Sequence, residues 1–225
     1  MQDFNSVYEK EAFYNMLYDK DIREPLFDFL EENFGRVRIL EEKNMGKSRA
    51  DIVMITENAF FGVEIKSDAD TYARLKRQVK DYDTFFDYNI IAVGSSHAHH
   101  ITEHVPEWWG IITIDEIDGK PDFYMYRKAE HAPEVDIKQQ LTFMWRPELA
   151  DIQALNDMPK YKDKSKQFVI DKVYDKIPHD LLKNQMCAML FERDYNSIAE
   201  RINAYRVENG QKARRKRKYK KRKRI

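Results

Sequence analysis

The sequence predicts an α/β fold, a mixed sheet flanked by helices, followed by a helical segment and a basic tail. Short apolar runs bounded by turn residues alternate with two segments of helical period up to about residue 130. Beyond about residue 137 the helical period persists. The last 14 residues, 212–225, carry 11 Lys or Arg and no acid. We therefore expect an α/β domain over 1–136, a helical segment over 137–211 and a disordered tail over 212–225.

The first helix is predicted within "DIREPLFDFLEENFG", where apolar residues recur three and four positions apart. Asp21 and Glu24 have the spacing of a capping box, and Gly35 follows the last apolar residue. "RVRIL" then predicts a short strand that ends at Glu41 and Glu42, and "KNMGKS" a turn-rich loop. The pieces "ADIVMI" and "AFFGVEI" predict two strands paired as a hairpin around Glu57 and Asn58.

A second helix is predicted from about Asp70 to Phe86, with a buried stripe that includes Leu75, Val79 and Tyr82. The nearly continuous apolar run "NIIAVGS" is typical of a strand covered on both faces. "GIITID" and "DFYMYR" predict a second hairpin. Four helical pieces follow, the last of which opens with a capping-box pattern at Ser197 and Glu200.

The composition excludes several classes of protein. The single cysteine, Cys187, cannot form an internal disulfide, which fits a reducing compartment. No uncharged apolar run is long enough to span a bilayer, and no glycine-rich phosphate loop indicates use of ATP. We expect a soluble cytoplasmic protein without a membrane partner. Cys187 lies among Met186, Met189 and Leu190, which predicts a core residue and not a nucleophile.

The formal net charge of zero conceals a separation of charge. The 211 residues before the tail hold 28 basic and 39 acidic groups, whereas the tail is entirely basic. Such a tail would neutralise phosphates without reading a base sequence. We predict nucleic-acid contacts for the residues Lys212, Arg214, Arg215, Lys216 and Arg217. A solubilising tail or a localisation signal is the alternative.

The stretch "GVEIKS" places an acid and a base in a strand that otherwise belongs to the core. Side chains alternate along a strand, so Val63 and Ile65 face one way and Glu64 and Lys66 the other. In the predicted hairpin Asp51 can approach Glu64. Two carboxylates suit a hard cation such as Mg²⁺ or Mn²⁺, and Lys66 could hold water or stabilise charge on phosphorus. The plainer alternatives are a buried Glu–Lys pair and an edge strand whose charges face water.

Asp51, followed by Glu64-x-Lys66, resembles the catalytic signature of the PD-(D/E)XK nuclease superfamily. The similarity covers about Asp21 to Asp115 and extends to a group of bacterial and prophage proteins in that superfamily. Ala50 stands where the signature has proline. The resemblance implies a restriction-endonuclease-like core of helix, three strands, helix and strand, and metal-dependent cleavage of DNA.

The second helix contains "QVKDY", which matches the QxxxY motif of RecB-like members of the superfamily. Gln78 would orient water or backbone, and Arg74 is its i,i+4 neighbour on a stripe that could face DNA. Superfamily members often add an acid to the two carboxylates. Glu24, Glu41 and Glu42 compete for this role, and we favour Glu42 as a third metal ligand.

The histidine-rich stretch "SSHAHHITEH" offers an alternative metal site. His100 and His104 could meet on one helical face and bind zinc, although no cysteine lies nearby. A solvated loop with a short helix is the plainer interpretation of this stretch.

The sequence thus predicts a Mg²⁺- or Mn²⁺-dependent nuclease. Asp51 and Glu64 would bind the metal, assisted by Glu42, and Lys66 and Gln78 would act on water and phosphate. DNA is the expected partner, RNA is a second option, and the oligomeric state is left open. The alternative function is a catalytically silent nucleic-acid-binding or assembly protein on the same fold.

Overall fold

A mixed six-stranded sheet forms the centre of the molecule. The computed structural model describes residues 19–67 and 70–213. Within these ranges the helices are α1 (Asp19–Phe34), α2 (Leu75–Phe85), α3 (Ala98–Ile101), α4 (Ile137–Gln140), α5 (Arg146–Leu155), α6 (Lys166–Lys176), α7 (His179–Phe191) and α8 (Tyr195–Glu208). The strands are β1 (Arg38–Met45), β2 (Ser48–Ile55), β3 (Phe60–Lys66), β4 (Tyr88–Gly94), β5 (Gly110–Ile117) and β6 (Lys120–Arg127).

The strands lie side by side in sequence order, from β1 to β6. The pairs β1–β2, β2–β3 and β5–β6 are antiparallel, whereas β3–β4 and β4–β5 are parallel. Each parallel pair is joined by a connection that contains a helix, as a parallel pair requires. The predicted α/β class and both predicted hairpins are confirmed.

Helices cover the two faces of the sheet with separate hydrophobic clusters. Leu26 of α1 packs in one cluster with Val63 and Ile65 of β3. On the opposite face Phe60 packs in a second cluster with Phe86, at the end of α2. Because side chains alternate along β3, Glu64 and Lys66 lie on the α2 face, as the sequence predicts.

Gly62 allows α2 to approach β3 closely. A Cβ atom at this position would lie 2.6 Å from Cδ1 of Tyr82 and closer still to Cδ2 of Phe86. Real Cβ atoms do not approach carbon this closely, so a larger residue would push α2 away from the sheet. The glycine therefore sets the distance between β3 and the helix that carries Gln78 and Tyr82.

The C-terminal helices share the core of the sheet. Leu149 of α5, Val169 of α6 and Met186 of α7 belong to the same cluster as Val53 and Phe60 of the sheet. This burial of apolar surface stabilises the helical segment against the α/β domain. The helical segment predicted over 137–211 therefore packs on the α2 face of the sheet.

A buried carboxylate ties the two parts of the chain together by hydrogen bonds. Both carboxylate oxygens of Asp87 accept a hydrogen bond from Nζ of Lys183, at 2.6 and 2.7 Å. Its Oδ2 also accepts one from the backbone N–H of Phe60 at 2.7 Å. Nε2 of Gln140 donates to the same carboxylate at 3.3 Å. These donors come from α7, β3 and α4, so one acid connects three elements.

Four local predictions were wrong. Helix α1 already includes Asp19, so Asp21 lies within the helix and is not its N-cap. Strand β1 extends to Met45 and takes in much of the predicted loop "KNMGKS", because that segment pairs with β2. Helix α2 begins only at Leu75, after a 3-10 turn. Helix α8 begins at Tyr195 with Asp194 as its cap, so Ser197 is not the N-cap.

Among residues 19–67 and 70–213, no helix has both the length and the apolar character needed to cross a membrane. The predicted tail falls almost wholly beyond residue 213 and therefore lies outside the described residues.

We expect Gly62→Ala to lower the stability of the protein, because the added methyl group would overlap the rings of Tyr82 and Phe86. Overpacking of this kind costs about 1–3 kcal/mol. For a chain of this size the melting temperature should fall by roughly 3–10 °C, measured by calorimetry or circular dichroism.

Gly119→Asn is the matched control for this experiment. Gly119 has a φ of +75° and no atom near its Cβ position, and asparagine tolerates that backbone conformation. Its melting temperature should stay close to that of the parent. If Gly62→Ala has the same melting temperature as the parent, α2 can move away from β3 without loss of stability. That result would contradict a tight approach of the helix to the strand.

Candidate active site

A cavity of about 500 Å³ opens beside the end of β3. It lies between α1, the β1–β2 hairpin, β3 and the start of α2. Its lining includes six residues predicted from the sequence: Glu42, Asp51, Glu64, Lys66, Arg74 and Gln78. The fold therefore brings together residues from four separate segments of the chain.

Glu64 is the centre of the hydrogen bonding in this cavity. Its Oε1 accepts a hydrogen bond from Nζ of Lys66 at 2.5 Å and a second one from Nε2 of Gln78. Its Oε2 accepts the hydroxyl of Tyr82 at 2.7 Å. The side chains of Gln78 and Tyr82 reach the same carboxylate because residues four apart lie on one face of a helix.

The Glu64–Lys66 pair is buried within the sheet. Glu64 is 2% exposed and Lys66 is 7% exposed, and β3 has a neighbour on each side. The alternative of an edge strand whose charges face water is therefore wrong. Burial of two charges is costly unless they are paired and hydrogen-bonded, which the contacts of Glu64 provide.

Asp51 lies on β2 next to Glu64. The antiparallel register pairs Ile52 with Val63, and this brings Asp51, one position earlier on β2, opposite Glu64, one position later on β3. The backbone N–H of Ile65 donates to Oδ2 of Asp51 at 3.0 Å. Oδ1 lies 3.8 Å from Nη2 of Arg23, which is beyond hydrogen-bond distance.

The environment of Asp51 disfavours its charged form. Burial and the negative charge of Glu64 raise the pKa of Asp51 to about 7. The N–H of Ile65 and the charge of Arg23 act in the opposite direction but do not compensate fully. Burial, together with the charges of Glu64 and Asp51, also raises the pKa of Tyr82, so its hydroxyl stays a donor to Glu64.

Gln78 has one unsatisfied atom beside these carboxylates. Its amide nitrogen donates to Glu64, whereas its Oε1 is buried without a hydrogen-bond partner among the described residues. A buried acceptor without a donor is costly and rare in native proteins. Because this oxygen is buried, it can accept a hydrogen bond from water or a substrate only after the side chain turns toward the cavity.

The three candidates for an additional acid differ in position. Glu42 lines the cavity, and its backbone has a φ of +52°. Its Oε2 lies 3.6 Å from Nη1 of Arg49. The carboxylate of Glu41 lies 3.8 Å from Nη1 of Arg23. Glu24 is exposed on α1 and is not part of the cavity lining. Of the three, only Glu42 lines the cavity, and its predicted role as a third metal ligand stays a prediction, because no group of three acids in the described residues is arranged to hold a metal.

The sequence reasoning missed several cavity residues. Arg23 of α1 donates to the backbone oxygen of Asp51 at 3.0 Å and forms an ion pair with Asp19 at 2.8 Å. Lys47 and Arg77 also line the cavity. One indication of a role for Arg23 in the sequence is its position directly after the apolar Ile22. The same pattern is typical of an ordinary exposed position on a helix, so Arg23 was not predicted.

The β1–β2 turn is attached to α2, which holds the basic residues of the turn beside the cavity. The hydroxyl of Ser48 donates to Asp81 of α2 at 2.5 Å. A Cβ on Gly46 would meet the same carboxylate at 2.9 Å, so the turn lies directly on the helix. Lys47 and Arg49 flank Ser48 and line the cavity.

The histidine-rich stretch does not form a metal site within the part of the chain that the structure describes. No group of three or more His, Cys, Asp or Glu side chains there is arranged to hold a metal ion. The ring of His104 instead packs against Tyr72, with centroids 4.7 Å apart. Cys187 is fully buried, and burial raises the pKa of its thiol to about 12, as suits a core residue.

The predicted basic contacts of the tail lie elsewhere. Lys212 is exposed and is not part of the lining of this cavity. Its backbone oxygen accepts a hydrogen bond from Nε of Arg206 at 3.0 Å. The residues Arg214, Arg215, Lys216 and Arg217 lie outside the described residues.

Comparisons with known proteins identify a phage family. No curated protein matches the chain. A protein of unknown function from Silicibacter pomeroyi, SPO1766, is similar in structure over 59% of this chain and 89% of its own, at 20% identity and a TM-score of 0.39. The family model of the bacteriophage P4 protein cII matches residues 13–213, almost the whole chain. The chain therefore belongs to the bacteriophage P4 cII protein family.

Proposed function

We propose that this protein is a metal-dependent nuclease that hydrolyses phosphodiester bonds in DNA. The observation that carries the proposal is that Asp51 and the bonded pair Glu64–Lys66 line one open cavity, at one end of two adjacent strands. A protein with no ligand here has little reason to place a buried Glu–Lys pair and a second, partly exposed carboxylate together in the wall of a cavity.

The order of elements supports this proposal. Along the chain α1 is followed by β1, β2 and β3, then by α2 and β4. This is the order of helix, three strands, helix and strand that the resemblance to PD-(D/E)XK nucleases implies. Asp51 lies on the second strand and the Glu64–Lys66 pair on the third.

The donor set fits a hard divalent cation. Asp51 and Glu64 would hold Mg²⁺ or Mn²⁺, because both present carboxylate oxygens, and burial together with the charge of Glu64 raises the pKa of Asp51, a cost that a cation would offset. Oε2 of Glu64 accepts one hydrogen bond and retains a second lone pair. Glu42 lines the same cavity, but among the described residues it does not complete a group of three acids that could hold a metal, so the proposal rests on two carboxylates. When bound, the cation would neutralise charge on the phosphate and lower the pKa of water.

The remaining residues would act on water and phosphate. Hydrolysis adds a water oxygen to phosphorus and breaks one P–O ester bond, so negative charge grows on the phosphoryl oxygens. Lys66 would exchange its hydrogen bond with Glu64 for one to water or phosphate and so stabilise this charge. The unsatisfied Oε1 of Gln78 would accept a hydrogen bond from the attacking water and orient it.

Basic side chains around the cavity would hold the DNA backbone. Arg74, predicted from the sequence, lines the cavity with Arg77, Lys47 and Arg49. Cations of this kind contact phosphates without reading the base sequence. The basic tail, from Lys212 onward, would add contacts of the same kind.

One observation favours a second candidate, a catalytically silent nucleic-acid-binding protein. Nζ of Lys66 is bonded to Glu64 itself at 2.5 Å, which is the arrangement of a structural ion pair. In that case the pair would stabilise the sheet, and the cavity would bind nucleic acid without cleaving it. Activity and metal response distinguish the two candidates.

The first prediction concerns cleavage. Asp51→Asn, Glu64→Gln and Lys66→Ala should each reduce the turnover of DNA by about 100-fold or more, because groups that act as a unit lose most of their effect together. The assay compares linear, circular and branched DNA with Mg²⁺, Mn²⁺ or EDTA. Glu57→Gln and Lys76→Ala change exposed residues that do not line the cavity and should cut like the parent. Undiminished cleavage by Lys66→Ala would refute the mechanism.

The second prediction concerns metal binding. Mg²⁺ should raise the melting temperature of the parent by roughly 3–6 °C at ten times its dissociation constant, since a ligand of the folded state stabilises it by mass action. Asp51→Asn and Glu64→Gln should lose this response, whereas Glu57→Gln should keep it. A response to Zn²⁺ alone, abolished by His100→Ala with His104→Ala, would assign the metal to the histidines.

The third prediction concerns pH in the absence of metal. The folded state raises the pKa of Asp51 from 3.8 to about 7, so it binds this proton more tightly than the unfolded chain does. The resulting stabilisation is complete below pH 3.8 and is lost as the pH rises to about 7. In EDTA, Asp51→Asn should therefore melt increasingly above the parent as the pH increases. If the difference in melting temperature between Asp51→Asn and the parent shrinks as the pH increases, the charge of Asp51 is already compensated by its neighbours.

A further inference from the structure

A second cavity, of about 520 Å³, lies in the C-terminal helical segment. It is formed by the start of α5, the connection between α5 and α6, and α8. Six cations line it: Arg146, Lys162, Lys164, Lys166, Arg201 and Arg206. It shares no lining residue with the first cavity, so it is a distinct site.

Most of these cations lack an acidic partner within the described residues. Arg201 forms an ion pair with Asp151, with two contacts of 2.8 Å. Arg146 donates instead to the neutral backbone oxygen of Tyr161, and Lys166 donates to that of Thr142 at 2.7 Å. No acidic side chain of the described residues lines the cavity. The site therefore carries a large excess of positive charge.

Two of the cations are also partly removed from water. Burial lowers the pKa of the Arg146 guanidinium and of the Lys166 ammonium. The charged form of such a group is destabilised unless an anion is near. An anionic ligand would offset this cost for both residues at once, whereas an empty cationic cavity gains nothing in stability.

The cavity also has an apolar side, which a simple anion would not need. Pro147, Ala150, Ile202 and Tyr205 contribute apolar surface to its lining. Tyr205 is 51% exposed, although its ring is large and hydrophobic. A flat apolar group can stack on such a ring, and every nucleic-acid base has a face suited to this contact.

We infer that this cavity binds a nucleotide unit of single-stranded nucleic acid, with its phosphate on Lys162 and Lys164 and its base on Tyr205. A cation-lined recess with one exposed aromatic ring combines the two contacts by which proteins hold single strands. A base inside a duplex is stacked on its neighbours and cannot enter. The inference concerns binding alone and does not depend on hydrolysis in the first cavity.

The position of the chain's end strengthens the assignment. Gln211 lines the cavity, and the backbone oxygen of Lys212 accepts Nε of Arg206. The sequence continues beyond Ala213 with ten Lys or Arg in residues 214–225. The described structure therefore reaches Lys212 beside this cavity, shortly before the basic residues of the sequence begin.

The test measures binding of a labelled oligothymidylate to the full-length protein in EDTA, where hydrolysis is suppressed. Tyr205→Ala should weaken binding about five-fold or more, because stacking on a base is lost, whereas Tyr205→Phe should bind within two-fold of the parent. Lys162→Ala with Lys164→Ala should reduce the log–log salt slope by about 1.4, for two lost phosphate contacts on a single strand.

The matched control is Lys160→Ala with Lys176→Ala. Both residues are exposed in the same segment, and neither lines the cavity, so this pair removes the same charge elsewhere. An equal loss in the control pair, or no effect of Tyr205→Ala, would overturn the inference. These results are independent of cleavage and so are distinguishable from a failure of the proposed nuclease.

Two competitors identify the source of the ligand. Thymidine monophosphate should displace the oligothymidylate only weakly, because it offers one phosphate and no neighbouring ones. Displacement at equal concentration would assign the cavity to free nucleotides and refute binding of a strand. An oligoglutamate peptide that binds as tightly, with the same loss in Tyr205→Ala, would refute recognition of a base.

Discussion

The buried carboxylate of Glu64 is the constraint on which the rest of the structure depends. A charge in the interior of a sheet requires donors, and Lys66, Gln78 and Tyr82 supply them. Two of these donors belong to α2, so their hydrogen bonds fix the rotation of that helix over β3. Gly62 permits the close approach that makes the bonds reachable. One acid thereby links the packing of a helix, the choice of a glycine and the shape of the cavity.

Asp51 shows the opposite balance of charge and donors. It has one backbone N–H and a distant guanidinium, and burial next to Glu64 raises its pKa to about 7. A protein that used these residues only for stability would gain by removing the acid or by pairing it. Functional sites commonly retain such unfavourable groups because a ligand completes them. The asymmetry between two neighbouring carboxylates is therefore a physical argument for the ligand proposed for this cavity.

Local periodicity predicted much of the fold and site, because the relevant residues lie on consecutive elements. Alternation along "GVEIK" placed Glu64 and Lys66 opposite Val63, and the i,i+4 spacing placed Arg74 with Gln78, both of which line the cavity. Long-range features escaped the same reasoning. Arg23 reaches Asp51 across 28 positions of sequence, and the pairing of β1 with β2 extended β1 beyond its own local pattern. The boundaries of helices also shifted where tertiary contacts outweighed the capping patterns.

The distribution of charge explains why two recesses, and not the surface as a whole, would meet a polyanion. The 211 residues before the tail carry 28 basic and 39 acidic groups, so most of the body repels nucleic acid. Cations are concentrated in the second cavity and also line the first, where Arg74 and Arg77 accompany the carboxylates. A concave, low-dielectric wall focuses the field of such groups. Under the two proposals, repulsion from the body and attraction into the cavities would act together and confine a strand to a few places, where the stacking proposed for Tyr205 would add a contact to a base.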